Sequence, residues 1–285
     1  MNRIVLIVLA GFLLTPAWAV QIQNQTPPYN TTEPTNSQIT NWTTGWSGGK
    51  TGWNYVGQVV TQNNGSASGV YLGNGWVMTA AHVTMGNFVL NGVTYPAVAG
   101  SAQSITSGSN TADLLLFQVS PYPDLPVLTL STNLPAVGDS VALLGYGGGQ
   151  GLTWGYNSVT AIDQPITPGG YTYVSNDFLT DLTGNNQAIL VTGDSGGGDF
   201  IYNGRTRKWE LTGINEVVGT YTDDQGDTIT TSGFVQLDTY ANQINAIVGS
   251  TPPEVDTPTL PLPGLVLLAG LLFGAAVTGG RRVGV

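Results

Sequence analysis

Gly193-Asp194-Ser195-Gly196-Gly197-Gly198 is the stretch that decides how this chain is read. The glycines around Ser195 allow backbone conformations that a Cβ would forbid and let another molecule approach the main chain closely. In such a turn the N–H groups of Gly193 and Ser195 can converge beside the serine hydroxyl, the arrangement that stabilises a developing oxyanion. The same residues also suit an ordinary glycine-rich turn with an incidental serine, so the segment has to be judged with the rest of the chain.

A serine hydroxyl becomes nucleophilic only beside a base, and the base needs a group that orients it. His82 is the only histidine of the chain and follows Thr79-Ala80-Ala81 at the end of a strand-like run that starts at Gly75 and Trp76. An imidazole is the suitable base near neutral pH, although a lone histidine beside apolar residues is more often simply a packed side chain. Asp113 follows Thr111-Ala112 and leads into Leu114-Leu115-Leu116-Phe117. A carboxylate entering a buried strand needs a partner, and the Nδ1–H of a histidine is an adequate one; a strand-start aspartate that caps a turn is the plainer alternative.

Around these residues, short apolar runs alternate with turn formers. Gly69–Leu72, Trp76–Thr79, Asn87–Leu90, Leu114–Val119 and Val141–Leu144 read as strands punctuated by glycine, asparagine and proline. Helical spacing appears only at Leu237, Tyr240, Ala241, Ile244 and Ile247 or Val248, which predicts a helix from about Asp238 to Gly249. The fold class is therefore all-β with one C-terminal helix, and the proline-containing stretch Ser131–Gly138 divides two strand-rich halves.

Thr79-Ala80-Ala81-His82, Asp113 with its hydrophobic run, and Gly193-Asp194-Ser195-Gly196-Gly197, in that order, resemble the trypsin-like serine proteases. Gly69-Val70, Gly145-Tyr146-Gly147, Leu211-Thr212-Gly213-Ile214 and the terminal helix extend the resemblance over about residues 50 to 248. It implies two six-stranded Greek-key β-barrels, about 45–134 and 135–236, then helix 237–249, with the site in the cleft between the barrels. It also implies that His82, Asp113 and Ser195 are catalytic, that Gly193 and Ser195 form the oxyanion hole, and that the substrates are proteins or peptides. By offset from the serine, Ile189 would floor the specificity pocket and Glu216, Val217 and Val218 would form a wall, favouring small or apolar residues. Members of the family activated by cleavage start the mature domain with Ile-Val-Gly-Gly, whose new amine pairs with the aspartate before the serine. Here the comparable region reads Trp53-Asn54-Tyr55-Val56-Gly57, so Asp194 needs another partner. No cofactor and no metal are implied; Asp223-Asp224-Gln225-Gly226-Asp227 reads as a hairpin turn rather than a calcium loop.

Composition narrows the alternatives. Cysteine is absent, which excludes disulfides, thiolate nucleophiles and cysteine-bound zinc. Apart from Arg3, Arg281 and Arg282 near the termini, Lys50, Arg205, Arg207 and Lys208 stand against 17 acidic residues, a balance that repels nucleic acid and anionic headgroups. Arg3, the apolar run Ile4–Leu14 and the exit Ala17-Trp18-Ala19 form an export leader over residues 1–19, with cleavage after Ala19. Residues 20–44 are rich in Asn, Gln, Thr and Pro and predict an arm with little structure. A Pro-rich linker (250–263) leads to an apolar segment with two arginines (264–285). Leu260-Pro261-Leu262-Pro263, the apolar stretch and Arg281-Arg282 resemble the Pro-Leu-Pro variant of the PEP-CTERM sorting tails of Gram-negative bacteria; a plain membrane anchor is the alternative. The tail thus implies an exported protein at the periplasm or cell surface, tethered to the membrane or handled by a sorting enzyme. A protease-shaped domain that only binds, or builds a surface matrix, is the rival to catalysis.

Overall fold

The computed structural model describes residues 20–61 and 65–249. The expected leader, the linker and the C-terminal apolar segment lie outside the described residues. Among those described, no helix is long and apolar enough to cross a membrane.

The chain forms β1 (Gln21–Ile22), β2 (Val56–Thr61), β3 (Ser66–Gly73), β4 (Trp76–Thr79), β5 (Gly86–Leu90), β6 (Val93–Tyr95), β7 (Gln103–Ser107) and β8 (Asn110–Gln118). It continues with β9 (Ser140–Gly145), β10 (Thr153–Ile166), β11 (Ser175–Leu182), β12 (Ala188–Ile189), β13 (Gly198–Asn203), β14 (Lys208–Thr222), β15 (Thr228–Gln236) and α1 (Ala241–Val248). The all-β class with one C-terminal helix is therefore the fold that forms. Each strand read from the sequence lies within or on one of these elements, because a half-buried strand needs apolar residues bounded by turn formers and these segments have both.

The second half is a closed six-stranded barrel in the order β10-β11-β15-β14-β13-β9. β10 bends around its corner through register shifts between Val159 and Gln164, where Asp163 takes φ 55°. The first half has seven strands, β6-β5-β2-β3-β4-β8-β7. After β6 the chain returns to β8, with an Ala97–Val119 bridge and the Val98 N–H donating to Gln118 O at 2.8 Å, so this sheet also curls toward closure. A single turn of 3₁₀ helix at Leu237–Thr239 precedes α1, which buries Ala241, Ile244 and Val248. The Asn74 amide donates to the Val248 carbonyl at 3.0 Å and ties the helix end to the first sheet.

Residues 20–44 are not a loose arm. β1 pairs with β12 through Gln21–Ile189 and Ile22–Ala188, and Val20 and Ile22 enter the apolar cluster of Val141, Leu143, Phe178 and Phe234. Further along, Ile39, Trp42 and Trp46 are buried, with Trp42 5.0 Å from Trp46 and 5.2 Å from Trp209, ring to ring and edge-on. The Trp209 ring N–H donates to Asn41 O and the Trp154 ring N–H to Thr32 O. A few apolar anchors at irregular spacing hold an otherwise polar segment. Each edge-on aromatic pair adds about 0.5–1.5 kcal/mol beyond the area it buries.

Candidate active site

β4 pairs with β8 in a register that sets Thr79 opposite Leu115. The chain leaving β4 therefore passes alongside the residues just before Leu115, and His82 arrives beside Asp113. Asp113 is fully buried and holds the histidine twice, accepting the main-chain N–H of His82 at Oδ1 (2.8 Å) and Nδ1 at Oδ2 (2.5 Å). With Nδ1–H committed to the carboxylate, the neutral ring presents its lone pair at Nε2. Tyr171, largely exposed, lies over the ring with a 5.4 Å centroid separation and stacks on Tyr173.

Ser195 lies in the turn between β12 and β13, where Gly193 has φ 98° and Gly196 φ 83°, conformations that suit glycine. A Cβ on Gly196 would overlap Ser68 O and Thr79 Oγ1. Within the turn the N–H groups of Asp194, Gly196 and Gly197 donate to Val191 O, Asn215 O and Asp194 O. The N–H groups of Gly193 and Ser195 donate to no main-chain acceptor among the described residues. Ser195 Oγ likewise makes no hydrogen bond there, His82 included; such contacts are often loose without substrate.

Ser68 of β3 joins the two halves at this point. Its N–H donates to Ser195 O (2.9 Å), its hydroxyl donates to Gly193 O (3.0 Å), and the same hydroxyl accepts the Tyr146 N–H (2.8 Å). From the other side the Asn215 side-chain amide donates to Leu144 O and Asp194 O, both at 3.0 Å. Neither residue is visible as a site residue in the sequence, since a serine in a strand and an asparagine after Gly213-Ile214 have no distinguishing pattern.

Asp194 is fully buried, and its partners are main-chain N–H groups: Gly147 at Oδ1 (2.8 Å), Val191 at Oδ2 (2.9 Å) and Val20. Burial pushes its carboxyl up to about 7, with the three N–H donors pulling the other way. The partner missing from the sequence reading is thus supplied partly by the arm.

The expected specificity residues divide. Val217 is buried and Val218 half-buried on β14. Ile189 is half-buried in the β1–β12 ribbon, so its surroundings are built by the arm, which the offset from the serine does not anticipate. Glu216 lines no open wall. The β14–β15 register shifts between Asn215 and Val217, so Glu216 is the extra residue of a bulge. Its side chain is 3% exposed and accepts the Ser175 hydroxyl at 2.9 Å. Asp177, Asp199 and Glu216 are all buried, and burial together with neighbouring carboxylates raises all three, Asp177 to about 7. Asp223 takes the N–H of Gly226 and returns its own to Asp227 O, closing the β14–β15 hairpin turn. A concavity of about 240 Å³, lined by Asn133, Asp139, Tyr202, Arg205 and Glu210 among others, contains none of the residues around Ser195.

The family described as the trypsin-like peptidase domain matches residues 67–214. Among solved structures the chain is similar to the Rv3671c protease from M. tuberculosis in an inactive form, at 20% identity and TM-score 0.48, covering 69% of this chain and 90% of that one. It is also similar to the HtrA-type protease AlgW bound to a decapeptide, at 19% identity and TM-score 0.48, covering 70% of this chain and 65% of that one. No curated protein is a significant match.

Proposed function

The chain belongs to the trypsin-like peptidase domain family, and from that premise we propose that it is an exported serine endopeptidase with His82, Asp113 and Ser195 as its triad. The observation that carries this reading is the two-point grip of buried Asp113 on His82, which leaves Nε2 as the ring's free basic atom. In the proposed reaction Nε2 takes the Ser195 Oγ proton as Oγ attacks the substrate carbonyl. The free N–H groups of Gly193 and Ser195 receive the oxyanion, a contribution of about 10² to 10³ in rate per donor in comparable sites. His82 then returns the proton to the leaving amine, and water, deprotonated by the same nitrogen, hydrolyses the acyl-enzyme. Val217 and Val218 favour small or apolar residues before the scissile bond, with Ile189 as the pocket floor in the same reading.

Export fits one feature of the described chain. Leader removal after Ala19 would turn the Val20 N–H that already touches Asp194 into a free ammonium, giving a buried carboxylate a full charge partner. Residues 264–285 would serve as membrane tether or sorting signal, placing the enzyme in the periplasm or at the cell surface of a Gram-negative bacterium. The unmade contact between Ser195 Oγ and His82 is the one observation that favours a non-catalytic binding or matrix protein instead. Incubating the purified protein with a denatured protein substrate and a peptide library separates the two. Cleavage after small or apolar residues, abolished by Ser195→Ala, is expected, whereas intact substrates from a folded protein would leave only the binding reading.

A further inference from the structure

Behind the candidate triad lies a chain of polar groups that the proposed chemistry does not use. The Asp113 N–H donates to Ser175 Oγ at 2.9 Å, and the Ser175 hydroxyl donates to Glu216 Oε1 at 2.9 Å. Asp177, two residues beyond Ser175 on β11 and so on the same face, is a second fully buried carboxyl, and its negative charge opposes ionisation of Glu216. Glu216 Oε2 and both Asp177 oxygens meet no protein donor of their own. Two buried carboxyls with three unpartnered oxygens between them ionise together only at a high desolvation and repulsion cost, so the pair keeps at least one proton at neutral pH.

The surroundings favour keeping that proton. Asp113 of β8 adds negative charge, the buried Asp199 of β13 is itself held protonated by the same surroundings, and Tyr240, ahead of α1, supplies a hydroxyl that accepts the Asn176 N–H. The His82–Asp113 pair is the one ion pair among the described residues, so no lysine or arginine neutralises the group. The bulge in β14 aims Glu216 into this site.

We propose that Glu216, in its protonated form, is a positioning residue that holds Asp113 in line with His82 through the Ser175 hydroxyl, and that loss of the shared proton sets the alkaline limit of activity. Removing that proton leaves Asp177 and Glu216 as facing carboxylates beside Asp113 in a buried site. Their repulsion and their need for water pull Glu216 away from Ser175, and Asp113 loses the support of its N–H.

The inference rests on the endopeptidase reading, and one set of measurements separates the two. Rates of phosphonylation by a fluorophosphonate and kcat/KM on a cleaved peptide are recorded from pH 6 to 10 for the wild type, Glu216→Gln, Glu216→Ala and Ser175→Ala. Glutamine keeps the acceptor for Ser175 and offers an N–H to Asp177 but has no proton to lose. Glu216→Gln is therefore expected to rescue neutral-pH activity and to abolish the alkaline decline or move it to higher pH. Glu216→Ala and Ser175→Ala are expected to lose roughly tenfold or more in kcat with KM little changed. An alkaline decline in Glu216→Gln identical to the wild type, or a wild-type kcat in Ser175→Ala, overturns the inference and leaves the endopeptidase reading standing. A folded wild type that neither labels nor cleaves at any pH overturns both. Ser175→Ala removes one oxygen and keeps the test decisive if Glu216→Ala does not fold.

Discussion

Blocking the amine of Val20 is the perturbation whose consequence can be worked furthest from the structure. Asp194 is fully buried, held by three N–H groups, one of them from Val20, and pushed from its ordinary 3.8 up to about 7. A carboxyl raised in the folded state is stabilising, relative to its ionised form, below its unfolded value, and that stability is lost as pH climbs toward the folded value. The loss runs from about pH 4 to about pH 7 and amounts to about 4 kcal/mol, since each step of one in pKa is worth about 1.4 kcal/mol. In a chain that starts at Val20, the α-ammonium meets the carboxylate and offsets up to that amount, roughly a thousandfold in the folding equilibrium. In a chain that keeps Ala19 ahead of Val20, the contact stays an amide N–H and the loss is uncompensated. Asp177, Asp199 and Glu216 are the same in both forms, so their titration cancels in the difference. The assay is denaturant unfolding of the two forms at pH 5, 6, 7 and 8, with the N-terminus of each verified by mass. The free-amine form is expected to gain steadily over the extended form as pH rises. Parallel stability curves would refute the pairing of Val20 with Asp194.

Asp113→Asn should fold and still bind peptide, with kcat lowered by about 10⁴, as seen when the same group is changed in comparable triads; rapid-quench and steady-state kinetics check this. Gly196→Ala should cost about 3 kcal/mol or more in unfolding free energy and abolish phosphonylation, because its Cβ overlaps Ser68 O and Thr79 Oγ1 at a φ of 83°. Trp42→Ala should cost about 3–5 kcal/mol in the same measurement, since the arm is part of the core; an arm that merely tethers would tolerate the change.

Much of the fold was legible because β-structure is recorded locally. Trp76–Thr79 and Val141–Leu144 read as strands since burial requires apolar side chains and the turns between require glycine or asparagine. His82, Asp113 and Ser195 stand out in the sequence because the proposed acyl transfer demands those side-chain types, and the structure brings His82 and Asp113 together. The packing of the arm is not legible in the sequence because Val20, Ile22, Ile39 and Trp42 follow no period; each is placed by a partner far along the chain, as Trp42 is by Trp209. The partners of Asp194 are main-chain N–H groups, which leave no mark on residue identity. Counting from the serine puts Glu216 on a pocket wall, whereas a single bulge at that residue turns its side chain inward. The seventh strand of the first sheet is not legible in the sequence because β6 and β7 are short and mostly exposed, without the apolar content that marks a strand.

The most direct test of the central claim is covalent. The folded protein is treated with a fluorophosphonate at neutral pH, digested and mapped by mass spectrometry, with Ser195→Ala and His82→Ala alongside. The account predicts one adduct per chain, on Ser195, absent in the first variant and slowed at least about 10³-fold in the second. A well-folded protein that stays unlabelled, or that labels equally well without His82, would contradict it.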